Sequence, residues 1–126
     1  MKDIPVNELR INNFILDDEN NIVKIEQISG DNIHCFTQVS KSTEKLNRVI
    51  YSSNIFAIPL TKSILLKCGF KFDCDLKKSL VNTGIWFNID NMEATYLSQK
   101  LIRIKYVHQL QNLYFALTGK ELQVNL

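Results

Sequence analysis

The feature that most constrains this chain is the amphipathic segment near its end, Val107-His-Gln-Leu-Gln-Asn-Leu-Tyr-Phe-Ala-Leu-Thr-Gly119. Val107, Leu110, Leu113, Tyr114 and Leu117 recur at helical spacing, so a helix gathers them on one stripe. Gly119 stands where a left-handed residue closes a helix. A helix this short is marginal alone in water, so the stripe predicts a partner layer for it to pack on. His108, Gln111, Asn112 and Phe115 form a second face, roughly a quarter-turn or more away.

The rest of the chain supplies that layer as β structure. Residues 1–8 read as a short arm and residues 9–60 as a β unit. Asn13 to Leu16, Ile22 to Ile28, Ile33 to Val39, Arg48 to Ser52 and Ile55 to Ile58 are the expected strands. Asp17-Asp-Glu-Asn-Asn21 and Ser29-Gly-Asp-Asn32 carry turn chemistry, and Ser40 to Leu46 reads as a loop. Short strands and tight turns at this density predict a small curled antiparallel unit, of which an SH3-like barrel is one form.

A short helix follows. Thr61 is placed as its N-cap, Leu60 and Leu65 as a hydrophobic staple, and Gly69 as its terminator. Beyond Phe70-Lys-Phe72, residues 73–83 read as a long polar loop. In Gly84-Ile-Trp-Phe-Asn-Ile-Asp90 the pattern alternates, with Ile85, Phe87 and Ile89 on one face and Trp86, Asn88 and Asp90 on the other. Ala94 to Leu97 is its expected partner. Leu101 to Tyr106 is read as a further strand, with Ile102, Ile104 and Tyr106 inward and Arg103 and Lys105 outward. With no repeat or linker, residues 61–126 join the β unit in one α+β domain of 126 residues.

Chemistry is sparse in this pattern. Zinc sites want close ligand pairs, whereas Cys68 and Cys74 have five residues between them, and His34, Cys35 and His108 complete no set. Cys68 reads as a buried helix residue. No nucleophile elbow, phosphate loop or metalloprotease motif is present. The acids of 17–19 and 73–75 read as solvated turn residues. These features predict no catalytic residues, no metal and no cofactor. A formal charge of +2, with lysine and arginine scattered among acids, does not single out a polyanionic partner. An odd cysteine count without a signal-like start predicts a reducing cytoplasm, and no apolar run is long enough to cross a bilayer.

Two places carry recognition signal. Trp86 is either an interface anchor on a wet sheet face or a core residue beneath the last helix or the long loop. On the last helix, His108, Asn112 and Phe115 are either a polar, aromatic face for a partner or a packed and solvated surface. Trp86, His108, Asn112 and Phe115 are therefore the candidate partner-binding residues.

Three blocks of the chain resemble those of an uncharacterised family of small proteins abundant in phages, prophages and mobile elements of Bacteroidetes. They are Glu8-Leu-Arg-Ile-Asn-Asn13, Ala57-Ile-Pro-Leu-Thr61 through Leu65-Leu-Lys-Cys-Gly-Phe70, and Ile104 through Leu122. In the family the first block usually has glycine where this chain has Asn12, a residue that tolerates positive φ. The segment 73–100 does not carry the family pattern. The resemblance implies a phage or mobile-element setting in a bacterial cytoplasm and implies no mechanism. The leading expectation is a non-catalytic protein that binds a host or phage protein, an inhibitor of a bacterial defence system being one form. The alternative is a nucleic-acid-binding module using the barrel-like unit, Trp86, Arg103 and Lys105.

Overall fold

A computed structural model describes residues 2–30, 32–37, 46–73, 78–101 and 104–126, with residues 34–37, 46–48 and 52 described by backbone alone. Two antiparallel sheets and two helices make up an α+β fold. The first sheet is a meander of β1 (Phe14–Leu16), β2 (Ile22–Ser29), β3 (Asn32–Thr37) and β4 (Leu46–Tyr51). Its hairpins arise where the sequence places turn residues. The Asp17 carboxylate accepts from the Glu19 and Asn21 backbones at 2.9 and 2.8 Å, and Gly30 takes φ 58° after β2. Asp17 is fully buried, so it is a turn organiser rather than the solvated acid expected from its position. Between Ile25 and Gln27 the β2–β3 register shifts, which leaves Glu26 as the extra residue of a bulge. A bulge raises local twist and bends the strand, and the sheet curls into a half-barrel.

The inner residues Ile15, Val23, Ile25, Ile33 and Ile50 fill this half-barrel with Ile4, Ile55 and Ala57. Residues 2–8 are therefore no free arm. Ile4 is in the core, Ala57 N–H donates to Lys2 O at 2.8 Å, and a 3-10 turn at Val6–Glu8 leads to β1. Residues 55–58 do not form the expected strand. Phe56 alone bridges Leu16 on one side and Asp3 on the other, because β1 ends at Leu16 and Pro59 has no N–H to extend a ladder.

Helix α1 (Lys62–Lys67) starts as its sequence dictates: the Thr61 hydroxyl accepts from Ile64 N–H at 3.2 Å. It stops in a paired motif around Gly69 (φ 82°). Gly69 N–H bonds Leu66 O, and Phe70 N–H reaches back to Leu65 O. Leu65 and Phe70 share one buried cluster, with Leu60 packed against it.

The second sheet runs in sequence order: β5 (Lys71–Phe72), β6 (Ser79–Asn82), β7 (Ile85–Asn88), β8 (Ala94–Tyr96) and β9 (Gln99–Lys100). Strand β6 falls inside the segment expected to be loop. Its apolar content is only Leu80-Val81, one residue facing each way, too little to show a period. The strand expected from Leu101 onward is displaced. A tight turn at Leu97-Ser98 (φ 50° and 66°) brings the chain back at once, so pairing occupies Gln99–Lys100. Tyr106 retains only a bridge to Pro59, and the expected Ile102 and Arg103 orientations lie outside the described residues.

Helix α2 (Val107–Thr118) ends at Gly119 (φ 71°). Its stripe packs as expected through Val107 and Leu110, both fully buried, with Leu113 and Tyr114 half-buried on the second sheet. Leu117 departs from the stripe. At 38% exposure it lies in the last turn, past the edge of the packed layer. Val107 joins Phe14 and Ile58 in a small cluster, so β1 is enclosed between the half-barrel core and α2.

Leu110→Ala should lower unfolding free energy by about 2–5 kcal/mol, the usual cost of emptying a buried leucine site. Leu117→Ala should change it by less than about 0.5 kcal/mol. Urea midpoints of the two variants check this contrast.

Candidate binding surface

The second face of α2 is a polar seat for the turn that opens β1. Gln111 is buried and its amide bridges that turn. Its Oε1 accepts from Phe14 N–H at 2.8 Å and its Nε2 donates to Asn12 O at 2.9 Å. Asn112 extends the seam: its Oδ1 accepts from Asn13 Nδ2 (2.8 Å) and Arg10 Nε (3.2 Å), and its Nδ2 donates to Glu8 O (2.8 Å). Asn12 sits at φ 77°, the left-handed backbone this turn needs. The Arg10 guanidinium forks onto both Glu121 oxygens and lies 4.4 Å over the Phe115 ring. The hydrogen bond from Arg10 holds the Glu121 carboxyl below its ordinary value, against partial burial.

His108 is 1% exposed. Its Nε2 lies 3.1 Å from the Glu8 carboxylate, and its Nδ1 has no hydrogen-bond partner. Burial pushes the imidazole below its ordinary value of 6.5, outweighing the attraction of Glu8. The neutral ring with Nε2–H donating to Glu8 satisfies this geometry, whereas a second proton would be stranded on Nδ1.

These positions decide what α2 can offer a partner. His108 is out of reach, Asn112 has both ends of its amide engaged within the chain, and Phe115, 40% exposed, has one face under Arg10. The polar residues of this face serve folding, so of its two alternatives the packed one holds for His108 and Asn112, while Phe115 keeps part of its ring exposed. Their partners lie about a hundred positions away in sequence, so no local pattern revealed the pairing.

Trp86 is elsewhere. Ile85 and Phe87 point into the core between the second sheet and the helices, and Trp86 and Asn88 point out. The wet-face alternative for Trp86 is thus the one realised, at 40% exposure. Strand register places Lys71, Val81, Trp86, Thr95 and Lys100 in one row across the outer face. Lys71 and Lys100 are exposed at its two ends, and Val81 and Thr95 flank the indole. Lys100, at the β9 end of the row, also lines a groove of about 420 Å³, with Met92, Leu101 and Ile104 in its lining and Glu93 and Lys105 among its other polar residues. The 3.9 Å Lys100–Glu93 pair joins row and groove.

Among the described residues no three His, Cys, Asp or Glu side chains are grouped as metal ligands. Burial pushes the Cys68 thiol up to about 11, which leaves it protonated and inert, as its expected core position implies. Cys74 and the side chains of His34 and Cys35 lie outside the described structure. No described helix is long and apolar enough to cross a membrane. In comparisons with known proteins, no family model, no curated protein and no solved structure matches the chain.

Gln111→Leu leaves the buried Phe14 N–H and the part-buried Asn12 carbonyl without their partners and should cost about 1–3 kcal/mol for each by urea unfolding.

His108 also gives stability a pH slope. Its folded pKa lies below the unfolded 6.5, so the unfolded chain binds more protons within that window. Its contribution is full above 6.5 and is lost as pH falls toward the folded value. His108→Gln should flatten urea midpoints measured across this range, while the Glu121 contribution falls only below about 4.5.

Proposed function

We propose that this chain is a non-catalytic binding protein of a phage or mobile element, acting in the bacterial cytoplasm on a host or phage protein through the Trp86 face. Inhibition of a defence system is one form such binding takes. The observation that carries the reading is a lone tryptophan left 40% exposed at the centre of a sheet face whose opposite side packs Leu80, Ile85, Phe87 and Ala94 into the core. Tryptophan is the residue most enriched among interface anchors, and flanking Val81 and Thr95 add apolar area at little cost in rotamer freedom. A further support is that the buried histidine, its carboxylate and the amides of α2 are occupied in the fold.

The same row supports a second reading. Lys71 and Lys100 bracket the indole, the order of a stacking platform between phosphate contacts. Such binding must weaken steeply with salt.

Trp86→Ala decides the matter. Stability should change by less than about 1 kcal/mol, and a specific protein recovered from host lysate by the native chain should be lost by roughly 30-fold, the weight of a central anchor. Equal recovery by both forms, or no reproducible protein with either, would refute the reading. Tight, salt-sensitive binding of oligonucleotides that Trp86→Ala abolishes would establish the second one instead.

A further inference from the structure

The Trp86 row and the β9-edge groove present their chemistry in a fixed order. Lys71 comes first, then Trp86 between Val81 and Thr95, then Lys100, which with Lys105 also lines the aliphatic groove. Adjacent strands are about 4.8 Å apart, so each row lysine springs from a position about 10 Å from the tryptophan. The whole row spans roughly 19 Å, the length of about six extended residues.

Resting on the reading of this face as a protein-binding surface, we infer that its partner is an extended acidic segment whose apolar side chains seat on Trp86 and in the β9-edge groove, while its carboxylates meet Lys71, Lys100 and Lys105.

The charge order requires acids on the partner. Lys100 has Glu93 beside it at 3.9 Å, but the two side chains are 72% and 53% exposed, so the pair is weak and easily exchanged for an incoming carboxylate. Lys105 is exposed, and its backbone is fixed by Gln109 Oε1, which accepts its N–H at 2.9 Å. Phosphates would satisfy the same lysines, but the groove argues for a peptide. Met92, Leu101 and Ile104 offer aliphatic contact and no second aromatic ring on which a neighbouring base would stack. A leucine or phenylalanine side chain needs only that apolar lining.

The test uses the full chain and a library of displayed random peptides about twelve residues long, enough to span row and groove. Trp86, the sole tryptophan, reports binding directly by its emission, and labelled peptide anisotropy reports it where Trp86 is replaced. We expect selected peptides that combine Asp or Glu with Leu or Phe and that shift the Trp86 emission. Lys71→Glu with Lys100→Glu should weaken them by at least about tenfold at 0.15 M ionic strength and turn a repeated selection toward basic peptides. Neutral or basic peptides that bind the native chain, are indifferent to the charge reversal and are lost in Trp86→Ala would overturn the acidic partner while leaving the protein-binding face intact. No enrichment, or peptides that bind Trp86→Ala undiminished, would overturn both. Oligothymidylate that shifts the emission where no peptide does would replace the peptide with a nucleic acid.

Discussion

The amide of Gln111 makes the most deeply buried of the polar contacts that join α2 to the turn before β1. One end accepts from Phe14 N–H at the start of β1, and the other donates to the Asn12 carbonyl one turn earlier. Apolar packing alone would hold α2 near β1, since Phe14, Ile58 and Val107 cluster there, but such packing tolerates sliding. A buried amide with both ends bonded does not, because any slip strands two backbone groups at about 1–3 kcal/mol each. The half-barrel therefore meets α2 in one register. Asn112, Arg10 and Glu121 extend the same constraint toward the surface, where each bond counts for less.

That register fixes the second sheet as well. Leu110 on α2 and Leu65 on α1 enter the same cluster as Leu80, Ile85 and Phe87, so both helices lie on one side of the sheet. The C-terminal tail closes on this side too, with Leu122 in the cluster and Asn125 N–H bonded to Lys67 O at 3.2 Å. Leu80, Ile85, Phe87 and Ala94, which face the helices, are thereby buried, and alternation sends the residues next to them outward. Trp86 is exposed because Ile85 and Phe87 are needed inside.

How much of this was legible in the sequence depended on whether the cause was local. The α1 cap and terminator, the turns and the alternation through Trp86 are short-range, and Thr61, Gly69, Gly30 and Phe87 occupy the places their chemistry requires. The polar face of α2 was misleading for the opposite reason. A run of His, Gln and Asn on a helix looks solvated, and only contacts with residues 8–14 reveal it as buried and paired. Strand β6 was missed because two apolar residues facing opposite ways have no period. Residues 1–8 read as an arm in the sequence because the packing partner of Ile4 is the half-barrel core, which no local pattern announces.

The resemblance blocks and the Trp86 row occupy different ground, although Ile104 and Lys105 of the adjoining groove belong to the third block. Glu8, Arg10, Asn12 and Asn13 meet Gln111, Asn112 and Glu121, while Ile58 O accepts from Val107 N–H at 2.9 Å and Leu60 N–H donates to Lys105 O. These three stretches are thus one contiguous scaffold, tied together by hydrogen bonds and shared packing. Val81, Trp86, Thr95 and Lys100 all lie in the segment 73–100, outside those blocks, and their side chains face away from the scaffold. Trp86 and Lys100 are exposed and Val81 and Thr95 half-buried, so a change there disturbs the core less than one at an inward position. A single scaffold can therefore carry different outer rows without a change of fold, and it is the row, not the scaffold, that would decide which partner is bound.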